Sequence, residues 1–245
     1  MVEFKIKLAG CVIGVKAMHN YIKEYCKDYY CDEAADFTVE TTQADIEFER
    51  EKSARDNILE GIPVIDYSDD YLETLAVYRQ IVENMLDYDA MLFHGSAIAV
   101  DGVAYLFTAT SGTGKSTHSR FWRETFGERA VMVNDDKPLL KLTEDGVLVC
   151  GTPWNGKHHL GENIMVPLEA ICILERGEEN EIEEISAKEA LTMLLQQSHR
   201  PAKAASMMLY LNLMDQLTKS LRFYRLKCNL NPEAATVAHE GMRPK

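Results

Sequence analysis

The stretch of sequence that decides the fold reads Ala109-Thr110-Ser111-Gly112-Thr113-Gly114-Lys115-Ser116-Thr117. It directly follows an apolar run at 103–107, which predicts a buried strand, and it leads into a predicted helix at 116–126 that Gly127 can end. Loops that bind nucleotide phosphates occur in this order of strand, glycine-rich loop and helix. The sequence therefore predicts a phosphate-binding loop. Ala109 stands where the general pattern has Gly, and the alternative is a glycine-rich turn that binds nothing.

The residue types in this loop suit a nucleotide and a magnesium ion. Gly112 and Gly114 let the backbone turn its N–H groups inward, and these groups attract an anion together with the helix N-terminus. Lys115 supplies a positive charge for the β and γ phosphates, and the Ser116 hydroxyl is placed to bind Mg²⁺. The residues predicted to bind ATP are Ser111, Gly112, Thr113, Gly114, Lys115, Ser116 and Thr117.

The composition is that of an acidic globular protein. The 245 residues carry a net charge of −13 with a pI near 5.0, and such a surface repels nucleic acid and anionic lipid. No apolar run approaches the roughly 18 residues of a membrane span, and no secretion signal is visible. The six cysteines form no C-x-x-C pair, which is typical of reduced cytosolic thiols. We expect a soluble, cytoplasmic protein with no nucleic acid or membrane partner.

Hydrophobic patterning divides the chain near residue 90. Residues 1–89 are predicted to be a strand-rich region with one helix, which begins after Ser68. Residues 90–245 alternate short apolar runs with helical segments, and this alternation indicates an α/β domain. A capping box that starts at Ser186 predicts one of its helices. The predicted strands lie at 4–8, 12–15, 37–39 and 46–48, and then at 97–100, 103–107, 131–133, 170–174 and 221–226.

Two adjacent acids follow the predicted strand at 131–133. An acid at the end of a strand next to a phosphate-binding loop commonly holds Mg²⁺. The second acid of the Asp135-Asp136 pair could then accept a proton from an attacking hydroxyl. His94 precedes the hairpin that leads to the loop and could lie beside the pair. The alternative is a solvated pair of acids on a surface turn.

A second loop, at 151–159, combines glycines with an aromatic ring and cations. Trp154 could cover a nucleotide or a substrate, and Lys157 could stabilise charge on the transferred phosphoryl group. An ordinary surface loop is the alternative. Other cations that could reach a phosphate are Arg120, Lys137 and Arg200.

These motifs together resemble a known family. A His-Gly pair at His94, an S-G-x-G-K-S loop and a strand that ends in Asp-Asp resemble the catalytic domain of HPr kinase/phosphorylase, which is related to phosphoenolpyruvate carboxykinase. The resemblance runs over 94–138. It is closer to HPr kinase-like proteins that phosphorylate serine hydroxyls on precursor peptides. It implies a P-loop kinase core of this type in 90–245, and possible self-association as a homo-oligomer.

The resemblance also implies a role for each matching residue. Asp135 would be the base that takes the proton of the acceptor hydroxyl, and His94 would lie against it. Asp136 and Ser116 would hold Mg²⁺, and Lys115 would bind the β and γ phosphates. The family's metal-binding Glu, in a Glu-x-Arg-Gly-x-Gly segment, has no clear match, because the similar segment at 175–177 is displaced. This departure argues against HPr as the acceptor and against reverse phosphorolysis.

The sequence thus predicts an ATP- and Mg²⁺-dependent kinase. It would transfer the γ-phosphoryl group to a serine-type hydroxyl of a peptide, a protein or a small molecule, with Asp135, His94, Lys115 and Lys157 as catalytic residues. One alternative is a regulatory protein that binds ATP without catalysis. The other is a carboxykinase-like phosphotransferase, although we find no convincing set of metal and carboxylate ligands for it.

Overall fold

The structure is a computed structural model that describes residues 1–59, 61–110, 112–156 and 158–243. It divides the chain into two compact units, Met1–Met85 and Leu86–Lys245. Within the described residues no helix is long and apolar enough to cross a bilayer.

The first unit is built on a small sheet of order β1-β2-β3 within the described residues. The first two strands form an antiparallel hairpin, and the third runs parallel to the second. The strands predicted at 4–8, 12–15 and 37–39 are confirmed. The elements of this unit are β1 (Val2–Leu8), β2 (Cys11–Ala17), α1 (Tyr21–Tyr25), β3 (Phe37–Glu40), α2 (Gln43–Leu59) and α3 (Asp69–Met85).

The strand predicted at 46–48 is wrong, and so is the expectation of one helix in this region. Residues 46–48 lie inside α2. Thr42 and Asp45 explain the helix start, because the Asp45 carboxylate accepts hydrogen bonds from the Thr42 backbone N–H at 3.0 Å and from its hydroxyl at 2.7 Å. The alternation of Ile46 with Phe48 suggested a strand, but the local capping interaction favours a helix.

The second unit contains a mixed sheet. Within the described residues its strand order is β4-β8-β9-β10-β6-β5-β7, with β12 also paired to β10, and β11 paired to β12. The strands predicted in this half of the chain are confirmed, including the hairpin at 97–107. The strands are β4 (Ala90–Leu92), β5 (Ser96–Val100), β6 (Val103–Thr108), β7 (Ala130–Asn134), β8 (Leu139–Thr143), β9 (Gly146–Cys150), β10 (Met165–Arg176), β11 (Glu181–Ile185) and β12 (Arg222–Cys228).

Helices cover both faces of this sheet, as the alternation of side chains along β6 requires. Ala104 and Leu106 belong to one core, with α5 and α6 on that side, whereas Tyr105 and Phe107 belong to the other core, with α4 and α7. The capping box predicted at Ser186 is present. The unit is therefore a layered mixed α/β structure. Its helices are α4 (Lys115–Phe126), α5 (Ala187–Gln197), α6 (Ala204–Ser220) and α7 (Glu233–Met242).

Candidate active site

The strand directions bring the predicted site residues to one edge of the sheet. Strand β10 pairs in parallel with both β6 and β12. Strand β5 is antiparallel to both β6 and β7, so β7 runs in the same direction as β6. The carboxyl ends of β6, β7, β10 and β12 therefore lie along one edge, and β5 begins there. Ligands of open α/β sheets bind at this kind of edge.

The glycine-rich loop, residues 109–114, joins β6 to α4. Gly112 and Gly114 have φ angles of +76° and +117°, in a region that strains other residues. The Thr113 backbone N–H and hydroxyl both donate to the Thr110 carbonyl, at 3.3 and 2.9 Å. Ser111, which the sequence also assigns to nucleotide binding, lies outside the described residues. The described part of the loop thus precedes a helix N-terminus, where an anion is favoured.

Lys115 is the first residue of α4 and is partly buried. Its ammonium Nζ donates to the Ala109 carbonyl oxygen at 3.3 Å. Burial lowers the pKa of Lys115, and the negative charge of Asp136 acts in the opposite direction. A partly desolvated cation beside a carbonyl would gain stability from an anion in the loop. The next residue, Ser116, is exposed and available to a ligand.

A buried asparagine fixes the turn that carries the two aspartates. Asn134 is fully buried, and its Nδ2 donates to the carbonyl and hydroxyl oxygens of Thr152 at 3.1 and 3.0 Å. Its Oδ1 accepts hydrogen bonds from the backbone N–H groups of Asp136 and Lys137 at 2.8 and 2.7 Å. The side chains of Asp135 and Asp136 are therefore presented from a constrained backbone.

His94 lies against Asp136, and the expectation that it lies against Asp135 is wrong. Its Nε2 is 3.0 Å from Asp136 Oδ1, and the ammonium of Lys137 pairs with the other oxygen. The cause is in the backbone, where Gly95 N–H donates to the Asp136 carbonyl at 3.0 Å. Burial acts to raise the pKa of Asp136, but the His94 hydrogen bond and the Lys137 charge outweigh it and lower the pKa.

Asp135 has a different environment from its neighbour. Its Oδ1 accepts a hydrogen bond from the Gly156 backbone N–H at 2.6 Å. Burial is the largest effect on its pKa and raises it, the Asp136 charge adds to this increase, and the Gly156 bond partly offsets it. Asp135 is therefore the more basic carboxylate of the pair, which suits a proton acceptor.

Two pockets lie on either side of the N-terminal half of α4. We call them the loop pocket, of about 550 Å³, and the aspartate pocket, of about 320 Å³. The loop pocket is lined by Gly112, Thr113, Gly114, Thr117, His118, Phe121, Arg176, Gly177, Cys228, Asn229 and Leu230. The aspartate pocket is lined by Ser116, Ser119, Arg120, Arg123, Met132, Asp135, His158 and Leu160.

Arg176 is a site residue that the sequence reasoning did not assign. It ends β10, and its Nη2 donates to the Gly112 carbonyl oxygen at 2.7 Å. The segment at 175–177 was noted only as a displaced match to a family motif. The apolar run at 170–174 predicts the strand, but only its parallel pairing with β6, which the sequence pattern does not specify, brings its end beside the glycine-rich loop.

His118 contributes a buried nitrogen to the wall of the loop pocket. Its Nε2 accepts from the Trp122 indole N–H at 2.9 Å, so the other nitrogen carries the proton. This Nδ1 has no hydrogen-bond partner among the described residues. Burial lowers the pKa of His118 to about 3, so the ring is neutral at physiological pH.

The second loop is partly structural. The expectation that Trp154 covers a ligand is wrong, because its side chain is only 2% exposed. Its carbonyl instead accepts a hydrogen bond from Asn134 Nδ2 at 3.4 Å. Lys157 lies outside the described residues.

The residues present are compatible with Mg²⁺ bound together with a nucleotide. Among the described residues no group of three or more His, Cys, Asp or Glu side chains forms a metal site. Mg²⁺ commonly uses one or two protein ligands and takes the rest from phosphates and water. Ser116 is exposed and the pKa of Asp136 is lowered, so a hydroxyl and an ionised carboxylate are present as candidate ligands of this kind.

The fold and the site define a mixed α/β protein with a glycine-rich loop and an aspartate pair at one edge of its sheet. The chain belongs to the family of the SynChlorMet cassette protein ScmC, whose model matches residues 65–232. Among solved structures, it is similar to the HPr(Ser) kinase/phosphatase from Coxiella burnetii, with 11% identity over 61% of this chain and 94% of that chain. The TM-score of 0.35 is too low to establish a shared fold. No curated protein matches the chain.

Proposed function

We propose that this protein is an ATP-dependent kinase that transfers the γ-phosphoryl group to a hydroxyl of a peptide, a protein or a small molecule. The observation that supports this most directly is that Ser116, from the start of α4, and Asp135, from the end of β7, line the same pocket. The start of α4, which directly follows the glycine-rich loop, and a candidate base then face the same space. This is the arrangement that phosphoryl transfer to a hydroxyl requires.

ATP would bind with its phosphates on the glycine-rich loop. Backbone N–H groups of the loop and the N-terminus of α4 would hold the phosphate oxygens. Lys115 would neutralise charge on the β and γ phosphates, and Lys157 is a second candidate for that role. The loop pocket, which Arg176 and Leu230 line, would take the ribose and base.

Magnesium would be held by the Ser116 hydroxyl and the Asp136 carboxylate. It would supply positive charge to the phosphate oxygens. His94 and Lys137 orient Asp136, since each contacts one of its carboxylate oxygens. His94 is therefore proposed as a positioning residue, because it acts through Asp136.

The acceptor hydroxyl would enter the aspartate pocket and attack the γ-phosphorus. Its oxygen forms the new O–P bond while the bond from the γ-phosphorus to the bridging β–γ oxygen breaks and ADP leaves. Asp135 takes the hydroxyl proton. Burial supports this role because it raises the pKa of Asp135 above that of an ordinary aspartate.

We also propose that the protein is cytoplasmic and that it forms a homo-oligomer. The six cysteines lie in the described residues and form no disulfide there, which suits a reducing cytoplasm where ATP is also present. Self-association is proposed only from the resemblance to HPr kinase.

Label transfer from γ-labelled ATP tests the function. Wild-type protein with Mg²⁺ would be offered seryl peptides, free serine and water, while calorimetry measures ATP binding in parallel. Label on an acceptor supports a kinase. Tight ATP binding without any transfer or hydrolysis would support a regulatory nucleotide-binding protein, and failure to bind ATP would reject the proposal.

A further inference from the structure

The helix α4 separates the two pockets, and its two faces differ in charge. Ser116, Arg120 and Arg123 are spaced four and three residues apart, so they share one face of the helix. All three line the aspartate pocket. On the other face, Thr117, His118 and Phe121 line the loop pocket. The side of the helix where an acceptor would enter therefore carries two guanidinium groups.

Neither arginine forms a strong ion pair with a carboxylate of the described residues. The only ion pair of Arg120 in the described residues is to Glu124, at 3.8 Å between two well-exposed side chains. Such a pair contributes little. Within the described residues no carboxylate forms an ion pair with Arg123, and Asp135 is the only acid among the described residues that line the pocket. Arg120 and Arg123 thus give the aspartate pocket a local positive charge in a chain of net charge −13.

We propose that the acceptor of this kinase carries a carboxylate close to its hydroxyl, and that Arg120 and Arg123 bind that carboxylate. This inference rests on the proposed function. The hydroxyl lies at Asp135, and the carboxylate is held at the outer part of the same pocket. Arginine suits this role, because its planar guanidinium forms paired hydrogen bonds with a carboxylate.

The spacing along the helix limits where the carboxylate can be. A rise of about 1.5 Å per residue puts Arg120 about 6 Å and Arg123 about 10 Å beyond Ser116 along the axis. The phosphoryl group would be near Ser116. The carboxylate therefore belongs to the same residue as the hydroxyl or to a close neighbour, since an extended chain spans about 3.3 Å per residue. It can come from a chain terminus or from an Asp or Glu side chain.

A matched set of peptides distinguishes these sources. The first probe is a short acetylated peptide with a serine flanked by glycines and an amidated C-terminus. The second is the same peptide with a free C-terminal carboxylate next to the serine. The third is the amidated peptide with an aspartate next to the serine. The variants are Arg120→Gln, Arg123→Gln and the double variant. Lys219→Gln is the control, because Lys219 is an exposed cation on α6 that is paired with Asp215.

Wild type is expected to phosphorylate at least one carboxylate peptide with a kcat/KM about tenfold or more above that of the neutral peptide. The double variant should lose that preference mainly through KM, while it keeps its affinity for ATP and its thermal unfolding midpoint. Lys219→Gln should behave as wild type. The carboxylate peptide with the larger increase in kcat/KM over the neutral peptide identifies the source of the carboxylate.

Three outcomes would contradict the inference. An equal loss on neutral and acidic peptides would mean that the arginines act on the phosphoryl group. Equal use of all peptides by wild type would mean that the arginines are only a solvated helix face. If ATP binds but no peptide is phosphorylated, peptide binding is measured instead, by fluorescence anisotropy of labelled peptides on protein loaded with a non-hydrolysable ATP analogue. The inference is rejected if binding shows no preference for a carboxylate that depends on the two arginines. Failure of ATP to bind would instead reject the proposed function.

Discussion

The Nε2 atom of His94 lies 3.0 Å from Oδ1 of Asp136, while the neighbouring Asp135 accepts a hydrogen bond from the backbone of Gly156. Two carboxylates adjacent in sequence therefore have different partners. The pKa of Asp136 is lowered by the hydrogen bond from His94 and by the charge of Lys137, and the pKa of Asp135 is raised by burial. This difference supports a division of roles, with a metal ligand at one position and a base at the other.

Replacing His94 tests the proposed role of Asp136 as a metal ligand. In His94→Gln the Asp136 carboxylate loses an orienting partner, so the Mg²⁺ concentration for half-maximal transfer should rise by about tenfold or more. Excess Mg²⁺ should restore most of the activity. Kinetics over a series of Mg²⁺ concentrations measure this effect. An unchanged Mg²⁺ dependence would show that His94 does not act through a metal ligand.

Replacing Arg176 tests the nucleotide side of the site. In Arg176→Ala the glycine-rich loop loses the hydrogen bond to the Gly112 carbonyl, and the loop pocket loses a cation. The Kd for ATP should rise by about tenfold. Calorimetry would compare this variant with Arg129→Ala, in which the lost arginine pairs with Asp101 and does not line the pocket. Equal affinities in the two variants would place the nucleotide elsewhere.

The first unit contains a buried carboxylate that predicts sensitivity to acid. Glu73 is fully buried and accepts hydrogen bonds from Met18 N–H at 2.7 Å, His19 N–H at 2.8 Å and the Thr41 hydroxyl at 2.6 Å. Burial acts to raise the pKa of Glu73, but these hydrogen bonds together lower it. Its folded pKa is thus below the unfolded value of about 4.3. The stability it contributes is present above that value and is lost as the pH falls through the folded pKa.

Glu73→Gln should therefore have two effects on the free energy of unfolding. It should lower stability at pH 7 by about 1–3 kcal/mol, because a carboxylate that accepts several hydrogen bonds is removed. It should also reduce the loss of stability as the pH falls from about 4.3 through the folded pKa of Glu73, because wild type loses the contribution of this carboxylate over that interval. Denaturant unfolding at several pH values measures both effects, with Glu51→Gln as an exposed control on α2. Identical pH profiles for Glu73→Gln and wild type would contradict this account.

The parts of the site that were predictable from the sequence are local in the chain. The apolar run of β6, the glycines of the loop and the start of α4 are consecutive, so the order of strand, loop and helix followed from residues 103–126 alone. The Asp101-Gly102 hairpin was predictable for the same reason. Its two residues have φ angles of +52° and +82°, and both residue types favour this turn.

The parts that were missed depend on pairing between distant segments. Arg176 reaches the loop only because β10 lies parallel to β6, which no local pattern specifies. The partner of His94 is set by a backbone hydrogen bond from Gly95 to Asp136. Trp154 was expected to contact a ligand from an exposed loop, but the segment 151–154 is buried and the Trp154 carbonyl accepts a hydrogen bond from Asn134.

The rate of label transfer from γ-labelled ATP in Asp135→Asn, relative to wild type, tests the central claim most directly. The variant keeps the shape of the side chain and removes its basicity, so the account predicts a fall in kcat of about 10²–10⁴-fold. ATP affinity should be unchanged, and excess Mg²⁺ should not restore the activity. A variant that transfers label at the wild-type rate would contradict the assignment of Asp135 as the base.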